Sequence, residues 1–290
     1  MRLFTLGRGL LLGALVLSGL ATVASAQDEM PEGVSLEVFA NGIAPSVPQE
    51  ADQFLLIQLA MDAGSTLPLE PDAQSVALLA VREGELGGKL DAPIEIGRAD
   101  AEPGQTEEAA AGSEFTLAPG DSALIPAGAI GEMTTDADAA TALLLVVAPS
   151  MSDDANANPA PDGVTFTPLA AGDTPELAEG ALFWLGEFTL QPGASFPGQA
   201  QPGAELGAGT TGEFTMKTTG GPGFVILRDF SRSVLAGEQP QVTEGATGDT
   251  VTFGVGDAVY FPDGNTVDIS NEGSSQAVTL FGGVGPLPAE

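Results

Sequence analysis

Apolar residues in this chain come in short runs of five to nine, rich in Val, Leu, Phe and Thr. FLLIQLAM (54–61), ALLLVV (142–147), FWLGEFTL (183–190) and VTLFGGV (278–284) are examples, and Gly, Pro and Asp punctuate them. Runs of this length between turn residues predict strands, and their regular recurrence predicts an all-β sandwich or barrel. The Ala-rich, acidic stretch ADAEPGQTEEAAAG (99–112) lacks the i, i+3, i+4 spacing of a helix and reads as a long acidic loop.

One segment breaks the pattern. MRLFTLGRGLLLGALVLSGLATVASA (1–26) has Arg2 and Arg8 in front, an apolar stretch from Leu10 to about Leu20, and small residues at Ala24-Ser25-Ala26. That order is a secretory signal peptide cleaved before Gln27. Its apolar stretch is short for a retained anchor, which needs about 20 apolar residues. No other run is long enough to span a bilayer, so the mature protein is expected to be secreted, without a stable membrane span.

The runs repeat. Gly33-Val34-Ser35-Leu36 returns as Gly163-Val164-Thr165-Phe166, and FLLIQLAMDAG (54–64) returns as FWLGEFTLQPG (183–193). Arg82-Glu83-Gly84-Glu85-Leu86 aligns with Thr211-Gly212-Glu213-Phe214, PGDSALIPAG (119–128) with VGDAVYFPDG (255–264), and ALLLVVAP (142–149) with VTLFGGVGP (278–286). Five blocks in one order mark a tandem duplication. The polar stretch SMSDDANANPAPDG (150–163) reads as the joint. The expected organisation is a signal peptide over 1–26, a first barrel over 33–149, a linker over 150–162 and a second barrel over 163–287.

Composition narrows the partners. The chain has 40 acidic residues against eight basic ones, no His and no Cys. A field of that sign excludes nucleic acid and anionic membrane surfaces as partners. The absence of Cys means that export adds no disulfides, so stability must come from a packed core.

Residues 193–212, GASFPGQAQPGAELGAGTTG, carry the candidate chemistry. Gly193, Gln199, Gln201, Glu205 and Gly212 here, with Gly256, Pro262, Gly264 and Asn271 further on, resemble the two motifs of the cupin superfamily. Those motifs are G-x5-H-x-H-x3/4-E-x6-G and G-x5-P-x-G-x2-H-x3-N. Gly64, Gly84, Gly120, Pro126 and Gly128 match in the first repeat, where Thr135 holds the Asn position. The chain is similar to a secreted bicupin, and this resemblance implies two tandem cupin-type, jelly-roll barrels of six to eight strands. It also implies an inward-facing metal site of three His and one Glu, and barrels that can pair as a homodimer through sheet faces.

The chain departs from the family at those metal positions. They are Gln199, Gln201, Glu205 and Val267 in the second repeat, and Glu70, Asp72, Ala77 and Gly131 in the first. No imidazole is present for Fe, Ni or Cu, and Val267, Ala77 and Gly131 offer no donor. Oxygen ligands alone suit Ca²⁺, Mg²⁺ or Mn²⁺, and neutral amides hold these weakly. No cofactor and no catalytic residue is therefore assigned. Gln199 and Gln201, two apart, would share one side of a strand and face the barrel interior with Glu205. There they would bond to one another and to trapped water in a vestigial pocket.

Three uses fit these residues. The first is a metal-free, non-catalytic protein that binds a small molecule or serves as an extracellular scaffold. The second is an extracellular enzyme acting on a carbohydrate-like molecule through an oxygen-ligand cation or through Glu205, Glu70 and Asp72 as acid and base. The third is an envelope-associated adhesive protein. The single Trp, Trp184, reads as a core residue, and the single Tyr, Tyr260, lies in a strand-like run.

Overall fold

The computed structural model describes residues 30–70, 74–101, 105–149, 160–177, 180–200 and 203–287. Residues 1–26, expected to be a signal peptide, most of the expected joint, Asp72 and Gln201 lie outside the described residues.

Among the described residues, each repeat folds into eleven strands. The first contains β1 (Val34–Ala44), β2 (Ala51–Met61), β3 (Thr66–Leu69), β4 (Val76–Glu83), β5 (Leu86–Leu90), β6 (Ile94–Gly97) and β7 (Thr106–Ala109), followed by β8 (Glu114–Leu117), β9 (Ser122–Ile125), β10 (Gly131–Thr134) and β11 (Ala140–Pro149). The second contains β12 (Val164–Asp173), β13 (Ala181–Leu190), β14 (Ser195–Phe196), β15 (Ala204–Thr211), β16 (Glu213–Gly220) and β17 (Phe224–Arg228), then helix α1 (Phe230–Leu235). It closes with β18 (Gln241–Gly245), β19 (Thr250–Gly254), β20 (Ala258–Phe261), β21 (Thr266–Ser270) and β22 (Ala277–Pro286).

The sheets reproduce the duplication strand for strand. One seven-stranded sheet runs β12-β2-β11-β4-β9-β6-β7 and the other β1-β13-β22-β15-β20-β17-β18. The four-stranded sheets run β3-β10-β5-β8 and β14-β21-β16-β19. Each repeat thus builds a jelly-roll-type barrel from one large and one small sheet, the all-β tandem architecture expected. The barrels hold more strands than the expected six to eight, because short pieces such as β7 pair at the sheet edges. β7 lies inside the stretch expected to be a loop; it is exposed and pairs through its backbone with β6, so no apolar alternation marks it.

The first strand of each repeat crosses over. β1 pairs with β13 from Val34↔Leu190 to Ala44↔Ala181, and β12 pairs with β2 from Val164↔Met61 to Asp173↔Gln53. The sequence repeats and the sheets therefore do not share boundaries. α1 packs on the exchanged β12: Phe230 is buried in the core, and Ser231 Oγ donates to the carbonyl of Pro168 at 2.6 Å. Tyr260 lies against Gly172 of the same strand.

The alternation of side chains shows how the sheets stack. On β4, Val76, Leu78 and Ala80 join a cluster with Phe183, Leu185, Leu206 and Val284 of the second barrel, whereas Leu79 and Val81 join the interior of the first. The two large sheets thus pack face to face and are covered on both sides. This is why their strands read as continuous apolar runs rather than alternating ones. The small sheets form the outer layers and do alternate, as in the EFTMKTTG of β16. The chain's two lysines, Lys89 and Lys217, sit at equivalent places on these outer layers, opposite Glu132 and Asp268.

Turn positions match across the repeats as well. Gly84 and Gly212 have φ of 70° and 64°, and a Cβ on either would lie 2.1 or 2.4 Å from the carbonyl of Ala139 or Gln276. Only glycine meets both demands. Asn271 donates from Nδ2 to the carbonyls of Leu190 and Ser275, both at 2.8 Å, and Thr135 donates to the carbonyl of Asp62. Both residues stitch a turn rather than line a site.

Candidate functional site

Period-two alternation on β15 sends Ala204, Leu206 and Ala208 to the inter-barrel core, so Glu205 faces the interior of the second barrel. Its strand neighbours are Phe261 on β20 and Gly283 on β22, and Gly283 is in turn opposite Trp184 on β13. Trp184, Gly283 and Glu205 therefore form one rung across three strands. A Cβ on Gly283 would lie 2.1 Å from the indole, so only glycine lets the ring lie over the middle strand. Across it, Trp184 Nε1 donates to Glu205 Oε2 at 3.4 Å.

The surroundings are aromatic. Trp184 shares the interior with Phe188, Phe214, Phe253, Phe261, Val267 and Phe281, with ring pairs such as Phe188–Phe214 at 6.2 Å and Phe224–Phe261 at 5.8 Å. Burial pushes the Glu205 carboxyl up to about 7, and the indole N–H offsets this only in part. Glu205 as a residue retains intermediate exposure, and the desolvated part is its carboxyl end.

The other positions singled out in the sequence do not complete a ligand set. β14 ends at Phe196, because Pro197 has no N–H to continue it, and Gln199 follows in a loop rather than on a strand. That loop lies against Val267: a Cβ on Gly198 would be 2.7 Å from the Val267 carbonyl carbon, and Gly198 N donates to Asp268 Oδ1 at 2.8 Å. The strand-based reading, with Gln199 directed inward by alternation, therefore does not hold. Val267 is buried among aromatic rings. In the first barrel, Glu70 is exposed beyond the end of β3 and Ala77 is buried. At Gly131 any Cβ would lie 2.1 Å from the carbonyl oxygen of Lys89, which leaves no room for a ligating side chain. This donor set does not fit the metal of the resembled family: one carboxyl, one loop amide, and a valine where an imidazole should be. Among the described residues, no group of three or more acidic side chains converges as a cation site.

Tyr260 is on the other face of β20 from Phe261, toward β12. Burial, with Asp173 and Asp263 nearby, pushes its phenol up to about 12. It takes no part in the interior.

A feature without a sequence assignment is a duplicated ion pair. Arg98 Nη1 meets Asp121 Oδ2 at 2.7 Å, and Arg228 Nη1 meets Asp257 Oδ2 at 2.5 Å. The signal was present in the PGD and VGD blocks, each preceded by an arginine, 23 residues before Asp121 and 29 before Asp257. Burial raises the Asp121 carboxyl, but the Ala99 and Ala118 amides and the Arg98 guanidinium together outweigh burial and hold it below the usual range. An open groove of about 540 Å³ lies beside this pair, lined by Ile96, Arg98, Glu107 and Phe115, and it touches none of the candidate residues.

No protein-family model matches the chain, and no curated protein matches it. Solved structures with a similar fold include a variant of the Bacillus subtilis oxalate decarboxylase, at 11% identity and a TM-score of 0.46. That match covers 82% of this chain and 70% of the other. A Lactobacillus farciminis oxalate decarboxylase in complex with formate is similar at 12% identity and a TM-score of 0.46, covering 83% and 78%. At that distance no residue role passes from those enzymes to this chain.

Proposed function

We propose that this is an exported, non-catalytic binding protein of the bicupin type that works without a metal, with the first barrel structural and the second barrel the binding half. The observation that carries the proposal is the contrast between equivalent rungs. The second barrel has Trp184, Gly283 and Glu205, where the first has Leu55, Val146 and Ala77 in the same register. This rung of the first barrel is hydrocarbon; its equivalent in the second keeps a carboxyl and a donor inside. The signal-peptide pattern supports export, and in the described residues no helix is long and apolar enough to cross a membrane.

The raised carboxyl of Glu205 favours the enzyme reading in one respect, because a general acid near neutrality needs such a group. Hydrolysis also needs a second acid or base, and the side chain that meets the Glu205 carboxyl is the Trp184 indole, which is neither.

The test is metal analysis of the purified mature chain together with thermal unfolding in Ca²⁺, Mn²⁺, Zn²⁺ or EDTA. A ligand at about 100 times its Kd adds roughly 2.7 kcal/mol to the native state. The expected result is no stoichiometric metal and an unmoved midpoint. A metal-dependent midpoint that is lost in Glu205→Ala would overturn the proposal in favour of a cation site in the second barrel.

A further inference from the structure

The first barrel is open along one seam. Among the described residues, β7 ends its large sheet and pairs with β6 alone, and β8 ends its small sheet and pairs with β5 alone. The groove of about 540 Å³ is lined by residues of both edges, together with Ile96 and Arg98. An edge strand presents unpaired N–H and C=O groups on its open side. On β8 that side is partly taken, because Arg98 Nη1 donates to the Thr116 carbonyl at 2.8 Å. β7 is the freer edge, with Thr106, Glu107 and Glu108 exposed.

The charges here carry a cost that nothing nearby offsets. Glu108 stands directly opposite Glu95 on β6; both are exposed, and among the described residues neither has an ion-pair partner. Like charges directly opposite one another destabilise a sheet. Glu114 adds a carboxylate on the β8 wall, while Glu107 is held by Arg98, whose Nε donates to Oε1 at 2.9 Å. The fold does not require these acids. By strand register, Val225, Thr243 and Thr250 of the second barrel stand where the first has Glu95, Glu107 and Glu114. Acidic residues on an edge can guard it against pairing with another copy. Glu95 does not fit that role, because it lies one strand in from the edge.

We propose that β7 is a docking edge, which accepts an extended segment of another polypeptide bearing Lys or Arg as an added strand in the groove. A strand beside β7 puts a side chain about 4.5–5.5 Å from Glu108, on the side away from Glu95. A basic residue there offsets the Glu95–Glu108 repulsion, and backbone hydrogen bonds to β7 supply affinity. The net charge of −32 favours the approach of a basic partner. This goes beyond the binding reading of the second barrel and does not depend on it. The interior rung of the first barrel stays packed, and only its sheet edge is engaged.

The mature protein is titrated into a short fluorescein-labelled peptide that alternates Lys with Thr, and anisotropy is read. The controls are the same peptide with Glu for Lys, and spermine, which carries positive charge without a peptide backbone. The expected result is saturable binding of the lysine peptide, none of the glutamate peptide, and displacement by spermine at least about tenfold weaker. Hydrogen exchange should slow at the backbone amides of 106–109 when the lysine peptide is bound. Glu108→Lys should weaken that binding at least about tenfold and, by facing Glu95, raise the urea midpoint. Silence of the lysine peptide, equal displacement by spermine, or protection confined to other strands overturns the proposal. So does unchanged affinity in Glu108→Lys. Self-association of the Glu107→Thr, Glu108→Thr double variant, with no peptide bound by the natural chain, would assign these acids to guarding the edge instead.

Discussion

Trp184 and Glu205 stand on strands that are not neighbours, yet the indole N–H reaches the carboxyl oxygen across Gly283 at 3.4 Å. The pair places the chain's only Trp over a carboxyl held in a barrel interior. Four expectations follow from this geometry, from the exchange of first strands and from the donors gathered by Asp121.

The carboxyl ties stability to pH. In the native state Glu205 holds its proton up to about 7, against an ordinary value of 4.5 in the unfolded chain. Between those values the native state binds more protons than the unfolded state, so stability is fully present below about 4.5 and declines as pH rises through 7. The loss amounts to roughly 3 kcal/mol at full titration. Because the many other carboxylates also respond to pH, the check is a difference: denaturant midpoints from pH 4 to 8 for the natural chain and for Glu205→Gln. The decline should be shallower in the variant, and parallel curves would contradict the assignment.

Gly283 should tolerate no side chain while Trp184 is present. Gly283→Ala is expected to cost about 1–3 kcal/mol by forcing the indole off its place, and to shift the emission of Trp184. The triple change Trp184→Leu, Gly283→Val and Glu205→Ala copies the rung of the first barrel. It should recover most of that loss, since replacing both hydrogen-bonding partners with packed apolar groups is close to neutral. Calorimetry of the two variants against the natural chain tests this pair of outcomes.

The exchange of β1 and β12 should make the barrels unfold as one unit. Phe183, fully buried where the two large sheets meet, packs against both barrels. Phe183→Ala is expected to lower a single thermal transition by about 3–5 kcal/mol. Two resolved transitions, with only the second barrel's affected, would mean that the exchanged strands do not couple the halves.

Asp121 gathers donors from three places: the amides of Ala99 and Ala118 at 3.0 Å each and the Arg98 guanidinium at 2.7 Å. Asp121→Ala leaves them without an acceptor and should cost about 2–3 kcal/mol. Arg98→Ala should cost less, because the arginine is partly exposed. Urea unfolding of the two variants orders them.

Much of this was legible in the residues. The period of the apolar runs, the turn glycines and the order of the five repeated blocks led to strands, barrels and duplication, because all three depend on local chemistry. The position of Glu205 in the barrel was legible for the same reason. The place of Gln199 was not, because the motif spacing is silent about the loop that follows Pro197. Nor did spacing predict that Trp184 would hydrogen-bond to Glu205, since the two are joined through the register of a third strand, β22.

The sequence by itself determined that the chain is a doubled all-β protein whose metal positions have lost their nitrogen ligands. It could do so because side-chain alternation and glycine turns are set within a few residues. Only the tertiary structure decided that each first strand belongs to the other barrel's sheet, that the large sheets are buried on both faces, and that one rung is hydrocarbon in the first barrel while its equivalent in the second keeps Trp184 and Glu205. Those outcomes depend on which distant backbones pair and in what register, a choice made by burial across the whole molecule.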